Sequence, residues 1–273
     1  FSSEPYLLVV RIAINTPSKV FKVLAFTFPG QGSQRPGMGR PWTDTESWEL
    51  VDEASEVAGR DVASLLLDAD AETLRDTRTA QLTTFVSSLM VLDAVERLGI
   101  EPEVISGDEE AALSFAGAIQ DLDPSNGPFL VVDIGGGSTE FVFGTTSVEA
   151  ARSVNIGCVR MSERHFANDP ATAEQIELAR TDIQAAIAIA AAEVPITQAK
   201  TLVAVAGTAT TVTAAALELN EYDRYAIHLA RVTAAQTHEA STMFLTKTRE
   251  QRLALGYMHP GRVDVIAAGA LVL

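Results

Sequence analysis

Residues Asp133–Glu140 read Asp-Ile-Gly-Gly-Gly-Ser-Thr-Glu, and this stretch decides the fold. It follows the apolar run Phe129–Asp133 and leads into a second β-rich run, Ser138–Phe143. Two such runs joined by a glycine-rich turn predict a β-hairpin. The three glycines Gly135, Gly136 and Gly137 let backbone N–H groups approach a ligand closely. The segment therefore predicts a hairpin whose turn can bind an anion, with a plain hairpin turn as the alternative interpretation.

Polar side chains flank the glycine turn on both sides. Asp133, at the end of the first strand, suits a hydrated Mg²⁺, which binds few carboxylates and completes its shell with water and phosphate oxygens. Ser138 and Thr139 add hydroxyl donors, and Glu140 can orient a water molecule. The segment thus predicts a phosphate-binding loop with a carboxylate linked to magnesium.

A second turn of small residues, Gly207-Thr208, joins the buried run Leu202–Ala206 to a predicted helix over Ala209–Leu217. The N-terminus of a helix offers free N–H groups and a positive dipole end to an anion. Threonine is also a good helix cap, so a capped helix after a strand is the alternative interpretation. Together with the first turn, this segment predicts two phosphate-binding sites for one phosphate chain.

Two adjacent carboxylates, Glu109 and Glu110, stand at the start of a predicted helix that runs from Asp108 to about Ile119. Acidic residues in a first turn are common because they interact favourably with the helix dipole. Beside bound phosphate and Mg²⁺, however, a carboxylate would suit a general base that activates water. Both interpretations stay open from the residues alone.

The segment that precedes Glu103 contains a short β-rich run at Val23–Phe28 and a strongly periodic helix predicted over Gln81–Leu98. The apolar residues of this helix recur at three- and four-residue spacing and predict one buried face, made of Leu82, Phe85, Val86, Leu89, Leu92, Val95 and Leu98. Such a face needs a partner surface. If it is left exposed, it favours self-association.

The bulk composition limits the function classes. The net charge is −16, and acidic residues outnumber basic ones on both sides of Glu103, which argues against a nucleic-acid partner. No apolar run reaches the roughly 20 residues that cross a bilayer, so no membrane partner is expected. The single cysteine, Cys158, cannot form an internal disulfide, and Phe1 is not followed by a signal peptide. These features predict a cytoplasmic protein.

The segment from Glu103 to Leu273 resembles the second half of the catalytic core of the exopolyphosphatase/guanosine pentaphosphate phosphatase (Ppx/GppA) family. The resemblance is carried, in order, by Val104–Ala111, Asp133–Glu140, Gly157–Arg160, Ala206–Thr211 and Arg262–Ala270. It implies an α/β fold of the actin-like (RNase H-like) ATPase type, with a mixed sheet and flanking helices. It also implies hydrolysis of the terminal phosphate of polyphosphate or guanosine pentaphosphate, with Mg²⁺ as cofactor and a homodimer as the assembly.

The resemblance also implies roles for individual residues. Glu110 would be the catalytic base, Asp133 the acid linked to magnesium, and Glu140 an acid that orients water. The phosphate loops would be formed by Gly135, Gly136, Gly137, Ser138, Gly207 and Thr208. The sequence departs from the family at Leu229, where a glycine usually follows histidine. It also contains no second Asp-x-Gly hairpin to face the first across a cleft.

The segment Val23–Pro102 resembles the opening of a malonyl-CoA:acyl carrier protein transacylase, through Leu24–Gln34, Gly37–Gly39 and Gln81–Phe85. The resemblance implies an incomplete α/β fragment in which Gln31 lines an oxyanion hole. No Gly-x-Ser-x-Gly nucleophile elbow occurs in the 273 residues. The predicted organisation is therefore 1–22 unassigned, 23–102 transacylase-like and 103–273 phosphatase-like.

Three functions follow from these two resemblances: an impaired phosphoanhydride hydrolase, a transacylase fragment without its nucleophile, and an inactive chimera that at most binds phosphate.

Overall fold

A computed structural model of the protein describes residues 8–12, 22–26, 28, 33–104 and 106–273. The described chain divides into two compact units, one that ends at Ser106 and one that comprises Gly107–Leu273. Each unit has its own apolar cluster or clusters.

The first unit combines a small sheet with three α-helices. Strand β1 pairs antiparallel with both β2 and β3, in the order β2-β1-β3. Short 3₁₀ turns lie at Arg40–Trp42, Glu46–Trp48 and Thr73–Arg75. The elements are β1 (Leu8–Ile12), β2 (Lys22–Phe26), α1 (Glu49–Ala58), α2 (Val62–Leu67), α3 (Thr77–Arg97) and β3 (Glu103–Val104).

Helix α3 confirms the strongest helix prediction of this unit and most of its predicted buried face. Val86 and Met90 lie in a cluster with Val51 of α1 and Leu66 of α2. Phe85 and Leu98, which were predicted to be buried, are 60% and 77% exposed. The prediction was wrong for these two residues because α1 and α2 cover only one side of a helix that is apolar on more than one side.

The second unit is built on a four-stranded sheet of order β6-β5-β4-β7, in which β4 and β7 are parallel and the other pairs are antiparallel. This is the predicted mixed sheet. Short 3₁₀ turns lie at Pro124–Asn126, Ile196–Gln198 and Pro260–Arg262. The elements are α4 (Gly107–Ile119), β4 (Phe129–Ile134), β5 (Thr139–Gly144), β6 (Val148–Val154), α5 (Cys158–His165), α6 (Ala173–Glu193), β7 (Thr201–Val205), α7 (Ala206–Ala216), α8 (Arg224–Ile227), α9 (Ala234–Thr246), α10 (Arg249–Leu253) and α11 (Ile266–Val272).

The two faces of this sheet are covered by different helices. Because side chains alternate along a strand, Leu130 and Val132 of β4 face one way and Phe129 and Val131 face the other. The first pair packs with residues of α5, α6 and α11. The second pair packs with Phe115 of α4. Both faces are therefore buried, as the continuous apolar sequence of β4 predicts.

Side-chain caps explain why several helices begin where they do. The side chains of Thr172, Thr233 and Thr248 each accept a hydrogen bond from the backbone N–H of the glutamine three residues later. The side chain of that glutamine in turn accepts a hydrogen bond from the backbone N–H of the threonine. This reciprocal capping box satisfies two donors that the first turn of a helix leaves unpaired. Helices α6, α9 and α10 each begin at the residue after such a threonine for this reason.

Leu229 stands where the resemblance leads one to expect glycine, and its backbone keeps the conformation of a glycine, with φ of 58°. The left-handed region costs a residue with a Cβ about 1–2 kcal/mol. The neighbouring His228 lies 3.4 Å from Asp121. The substitution therefore preserves the turn at an energetic cost.

We expect Leu229→Gly to stabilise the protein by about 0.5–1 kcal/mol, measured by urea unfolding. The variant relieves the left-handed strain, and the leucine side chain it removes is 50% exposed and contributes little packing. Leu253→Gly, at an exposed position within α10, is the control and should destabilise. A less stable Leu229→Gly variant would contradict the strain argument.

Among the described residues, every helix is too short or too polar to span a lipid bilayer.

Candidate active site at the carboxyl end of β4

A row of residues crosses the sheet where β4 ends. Asp133 of β4 is paired with Glu140 of β5 on one side and with Val205 of β7 on the other. Glu140 is in turn paired with Ser153 of β6. Residues paired directly across strands point to the same face, so the two carboxylates lie side by side on the face that α4 covers.

The environment of these carboxylates favours a cation. Burial, and secondarily the charge of Glu140, raises the pKa of Asp133 to about 6. Ser153 donates a hydrogen bond of 2.8 Å from Oγ to Oε1 of Glu140. Among the described residues no cluster of three or more His, Cys, Asp or Glu side chains could hold a metal. A Mg²⁺ here would use Asp133 and complete its shell with water and phosphate oxygens, which is how Mg²⁺ usually binds.

The N-terminal turn of α4 lies at the same level of the sheet as Asp133. Phe115 packs beside Val131 and Val142, and Ile119 lies at the opposite end, beside Phe129. Moving back from Phe115 to Glu110 rises about 7.5 Å along the helix axis, and moving from Val131 to Asp133 advances about 6.7 Å along the strand. The half-buried Glu110 lies in this first turn of α4, and its role as the catalytic base stays a prediction.

The glycine turn is tied to the first turn of α5 by its carbonyl groups. The backbone N–H of Cys158 donates to Gly135 O at 2.9 Å, and that of Val159 donates to Gly136 O at 2.9 Å. Arg160 donates from Nε to Gly137 O at 2.7 Å. Helix α5 has no side-chain cap, so the loop carbonyls satisfy its first N–H groups.

This tethering fixes the direction of the loop amides. In a trans peptide the C=O of one residue and the N–H of the next point in opposite directions. Carbonyls that face α5 therefore turn the N–H groups of Gly136, Gly137 and Ser138 away from it. In the described part of the chain these three N–H groups make no hydrogen bond. Consecutive backbone N–H groups without a partner are donors of the kind that can bind an anion.

The prediction of a turn at Gly207-Thr208 was wrong, because α7 begins at Ala206 rather than Ala209 and includes both residues. The helix is strained at this first residue. Ala206 joins β7 to α7 with φ of 67°, a conformation that residues with a Cβ rarely adopt. Such strain persists at functional sites when the surroundings determine it. Helix α7 has no side-chain cap, which leaves its first N–H groups available to a ligand.

A guanidinium group lies directly over Gly207. A Cβ at this position would lie 2.5 Å from Nε and 2.7 Å from Cζ of Arg262. The Nη1 atom of Arg262 also lies 3.4 Å from the hydroxyl oxygen of Thr211. The absence of a side chain at Gly207 thus leaves room for the guanidinium group at the N-terminus of α7.

Thr208 is buried, and its side chain is directed into the protein. A Cβ at Gly269 would lie 2.7 Å from Thr208 Oγ1 and 3.0 Å from Cys158 Cβ, so the first turns of α5, α7 and α11 meet here. Thr208 can thus offer its backbone N–H, rather than its hydroxyl, to a ligand. Burial raises the pKa of the Cys158 thiol, as is usual for a cysteine packed in an apolar interior.

Sequence reasoning assigned no role to Arg160 or Arg262, although both lie in motifs that carry the resemblance. Neither residue is near a predicted loop in the sequence, because Arg160 follows the hairpin and a further strand and Arg262 precedes the last helix. The available signal was the positive charge itself. Each of these two arginines falls within an otherwise largely apolar or glycine-containing motif.

Residues 71–273 match the sequence model of the Ppx/GppA phosphatase family. The chain belongs to this family. The match begins before the predicted boundary at Glu103 and includes both loops, Glu110 and the two arginines.

Curated relatives carry two enzyme names of this family. The chain is 47% identical to exopolyphosphatase 2 of Mycobacterium tuberculosis over 175 residues, which is 64% of this chain and 55% of the relative. It is 40% identical over 113 residues, 41% of the chain and 22% of the relative, to a guanosine-5'-triphosphate,3'-diphosphate pyrophosphatase of Vibrio cholerae. The chain thus spans about half the length, or less, of these curated relatives.

Solved structures agree on the fold. An exopolyphosphatase-like protein shares 32% identity with a TM-score of 0.63, over 98% of this chain and 84% of that one. A Ppx/GppA family member of Aquifex aeolicus shares the fold at 22% identity and a TM-score of 0.59, over 93% of this chain and 79% of that one. The predicted actin-like α/β fold is confirmed.

A partial similarity of another kind is also present. The chain is 38% identical over 105 residues to malonyl CoA-acyl carrier protein transacylase of Bacillus subtilis, which is 37% of this chain and 33% of the relative. Gln31, the residue to which this resemblance assigns an oxyanion-hole role, lies outside the described residues.

Proposed function

We propose that this chain is a phosphoanhydride hydrolase that releases the terminal phosphate of polyphosphate or guanosine pentaphosphate by attack of water. The observation that carries the proposal is the set of outward N–H groups of Gly136, Gly137 and Ser138 beside the carboxylate pair. Backbone donors of this kind bind phosphate oxygens, and carboxylates beside them suit proton transfer and metal binding. The enzyme names of the relatives support the same substrates.

Each residue has a separate task in the proposed reaction. The loop amides bind the terminal phosphate, while the N-terminus of α7 and Arg262 bind the next phosphate along the chain. Glu110 accepts the proton of the attacking water, and Glu140 orients that water. A Mg²⁺ held by Asp133 would neutralise charge that develops on the phosphate oxygens.

We propose that the rate is low, because catalysis of phosphoryl transfer requires donors around the whole transferring group. The 273-residue sequence contains one Asp-x-Gly hairpin of this type, at Asp133, and no second one to face it. Hydrogen-bond donors on only one side of the phosphate leave much of the negative charge on its oxygens unstabilised in the transition state. A chain that only binds phosphate is the limiting case of this proposal.

The transacylase similarity supports a common origin for the segment 23–102 but not acyl transfer. The sequence has no Gly-x-Ser-x-Gly elbow to present a nucleophilic serine. We therefore propose a transacylase-like fragment without transacylase activity. The predicted cytoplasmic location and the homodimer stay predictions.

Phosphate release from tripolyphosphate with Mg²⁺ tests the proposed function on the purified chain. We expect release within about tenfold of the background rate, abolished in Glu110→Gln, because the general base is lost. Glu109→Gln, at the adjacent position, is the matched control and should retain the native rate. Fast turnover abolished by Glu110→Gln would contradict the low rate, and release unaffected by Glu110→Gln would contradict the assigned base.

A further inference from the structure

The carbonyl of Gly137, the last in the glycine loop, accepts a hydrogen bond from a side chain, that of Arg160, whereas among the described residues the other two carbonyls accept only from backbone N–H groups. The carbonyls of Gly135 and Gly136 accept hydrogen bonds from backbone N–H groups of α5, which nearly any residue would supply. Gly137 O accepts a bond of 2.7 Å from the Arg160 side chain and a longer one of 3.3 Å from the backbone N–H of Gly157. The orientation of the Gly137–Ser138 peptide therefore depends on the residue type at position 160.

The bond has two properties that suit a positioning role. It is charge-assisted, and such bonds are shorter and about twice as strong as neutral ones. It also acts on the peptide group that carries the Ser138 N–H, the last of the three loop donors. Because C=O and N–H of a trans peptide are antiparallel, a C=O directed at Arg160 turns the Ser138 N–H toward the carboxylate side of the loop.

We propose that Arg160 is a positioning residue that fixes the Gly137–Ser138 peptide, so that the Ser138 N–H is ready to bind a phosphate oxygen. The inference rests on the proposed phosphate-binding function of the loop. Arg160 acts through the loop backbone, and its charge polarises the peptide that donates to the ligand. The role is thus distinct from that of Arg262, whose guanidinium lies over Gly207 at the N-terminus of α7.

The ¹⁵N chemical shift of the Ser138 amide tests this role directly in the free protein. This nucleus senses a hydrogen bond accepted by the preceding carbonyl, which a merely structural contribution of Arg160 would not alter selectively. In Arg160→Met we expect a shift change at Ser138 that clearly exceeds those of β4 and β5. Arg164→Met is the control, because it removes an arginine of the same helix that pairs with Asp182 instead. An unchanged Ser138 shift in Arg160→Met would overturn the proposal.

Calorimetric titration with magnesium tripolyphosphate separates positioning from simple charge attraction. We expect about tenfold weaker binding in Arg160→Met, and a smaller loss in Arg160→Gln, whose amide can still donate to Gly137 O. Arg160→Lys could instead bind with native affinity while Arg160→Gln and Arg160→Met lose the same amount of affinity. This result would show an effect of charge alone and overturn the proposal. Absence of binding by the native chain would refute the proposed function, and the Ser138 shift would then still decide the inference.

Discussion

Asp133→Asn should make the protein more stable than the native chain at pH 8, by about 3 kcal/mol. The pKa of Asp133 is raised from 3.8 to about 6, first by burial and then by the charge of Glu140. At about 1.4 kcal/mol per pKa unit, the difference corresponds to roughly 3 kcal/mol that the charged form costs the fold. Asparagine keeps the shape of the side chain and removes this cost.

The pH dependence follows from the sign of the shift. A raised pKa means that the folded state binds the proton more tightly than the unfolded state does. The contribution of Asp133 is therefore fully present below pH 3.8 and is lost as the pH rises to about 6. Urea unfolding from pH 3.5 to 8 should show equal stability of the two proteins at the acid end and a growing advantage of Asp133→Asn up to about pH 6–7.

Two further variants check the cause. Glu140→Gln should recover part of the same advantage, because the charge of Glu140 is the second cause of the raised pKa. Asp123→Asn should act in the opposite direction, because hydrogen bonds from Ser125 lower the pKa of Asp123 and favour its charged form. If Asp133→Asn were no more stable than the native chain at pH 8, the carboxylate would not be buried as described.

The same experiment bears on the proposed magnesium site. A cation that binds ionised Asp133 in the folded state, and not the unfolded chain, stabilises the fold by RT ln(1 + [Mg²⁺]/Kd). Millimolar Mg²⁺ at pH 8 should raise the melting temperature of the native chain and leave that of Asp133→Asn unchanged. Equal effects on both proteins would contradict a site at Asp133.

The hairpin shows how much of this fold the sequence could predict. Strands β4 and β5 and the turn between them follow from local information, namely two apolar runs and three glycines, and their pairing is confirmed. The capping threonines of α6, α9 and α10 are equally local signals. The carboxylate pair could also be anticipated, because a hairpin with this turn places Asp133 opposite Glu140.

The parts that could not be predicted depend on contacts between distant segments. Whether Phe85 is buried depends on which side of α3 is covered by α1 and α2, and spacing alone does not report that. Arg262 reaches Gly207 only because α11 packs on α5 and α7. The outward direction of the loop amides follows from bonds to α5, which is separated from the loop by two strands. Each of these features is a property of packing.

Gly157→Ala should destabilise the protein by about 3 kcal/mol, because this glycine lies against the glycine loop itself. A Cβ at Gly157 would lie 2.5 Å from the backbone N of Gly137 and still closer to the C and O atoms of Gly136. Overpacking in a well-packed interior typically costs 1–3 kcal/mol, and backbone cannot rotate away as a flexible side chain can. The backbone of Gly157, with φ of −71° and ψ of 159°, suits alanine, so the effect is purely steric.

The steric contact also links this residue to ligand binding. To admit the methyl group, the loop must move away from α5, which lengthens the bonds to the carbonyls of Gly135 and Gly136 and releases the direction of the loop amides. We therefore expect binding of magnesium tripolyphosphate to weaken more than tenfold, measured by calorimetric titration beside urea unfolding. Gly117→Ala is the matched control, since a Cβ there meets no atom within 4 Å and alanine favours the helix interior. If Gly157→Ala kept native stability and affinity, contact with α5 would not be what directs the loop amides.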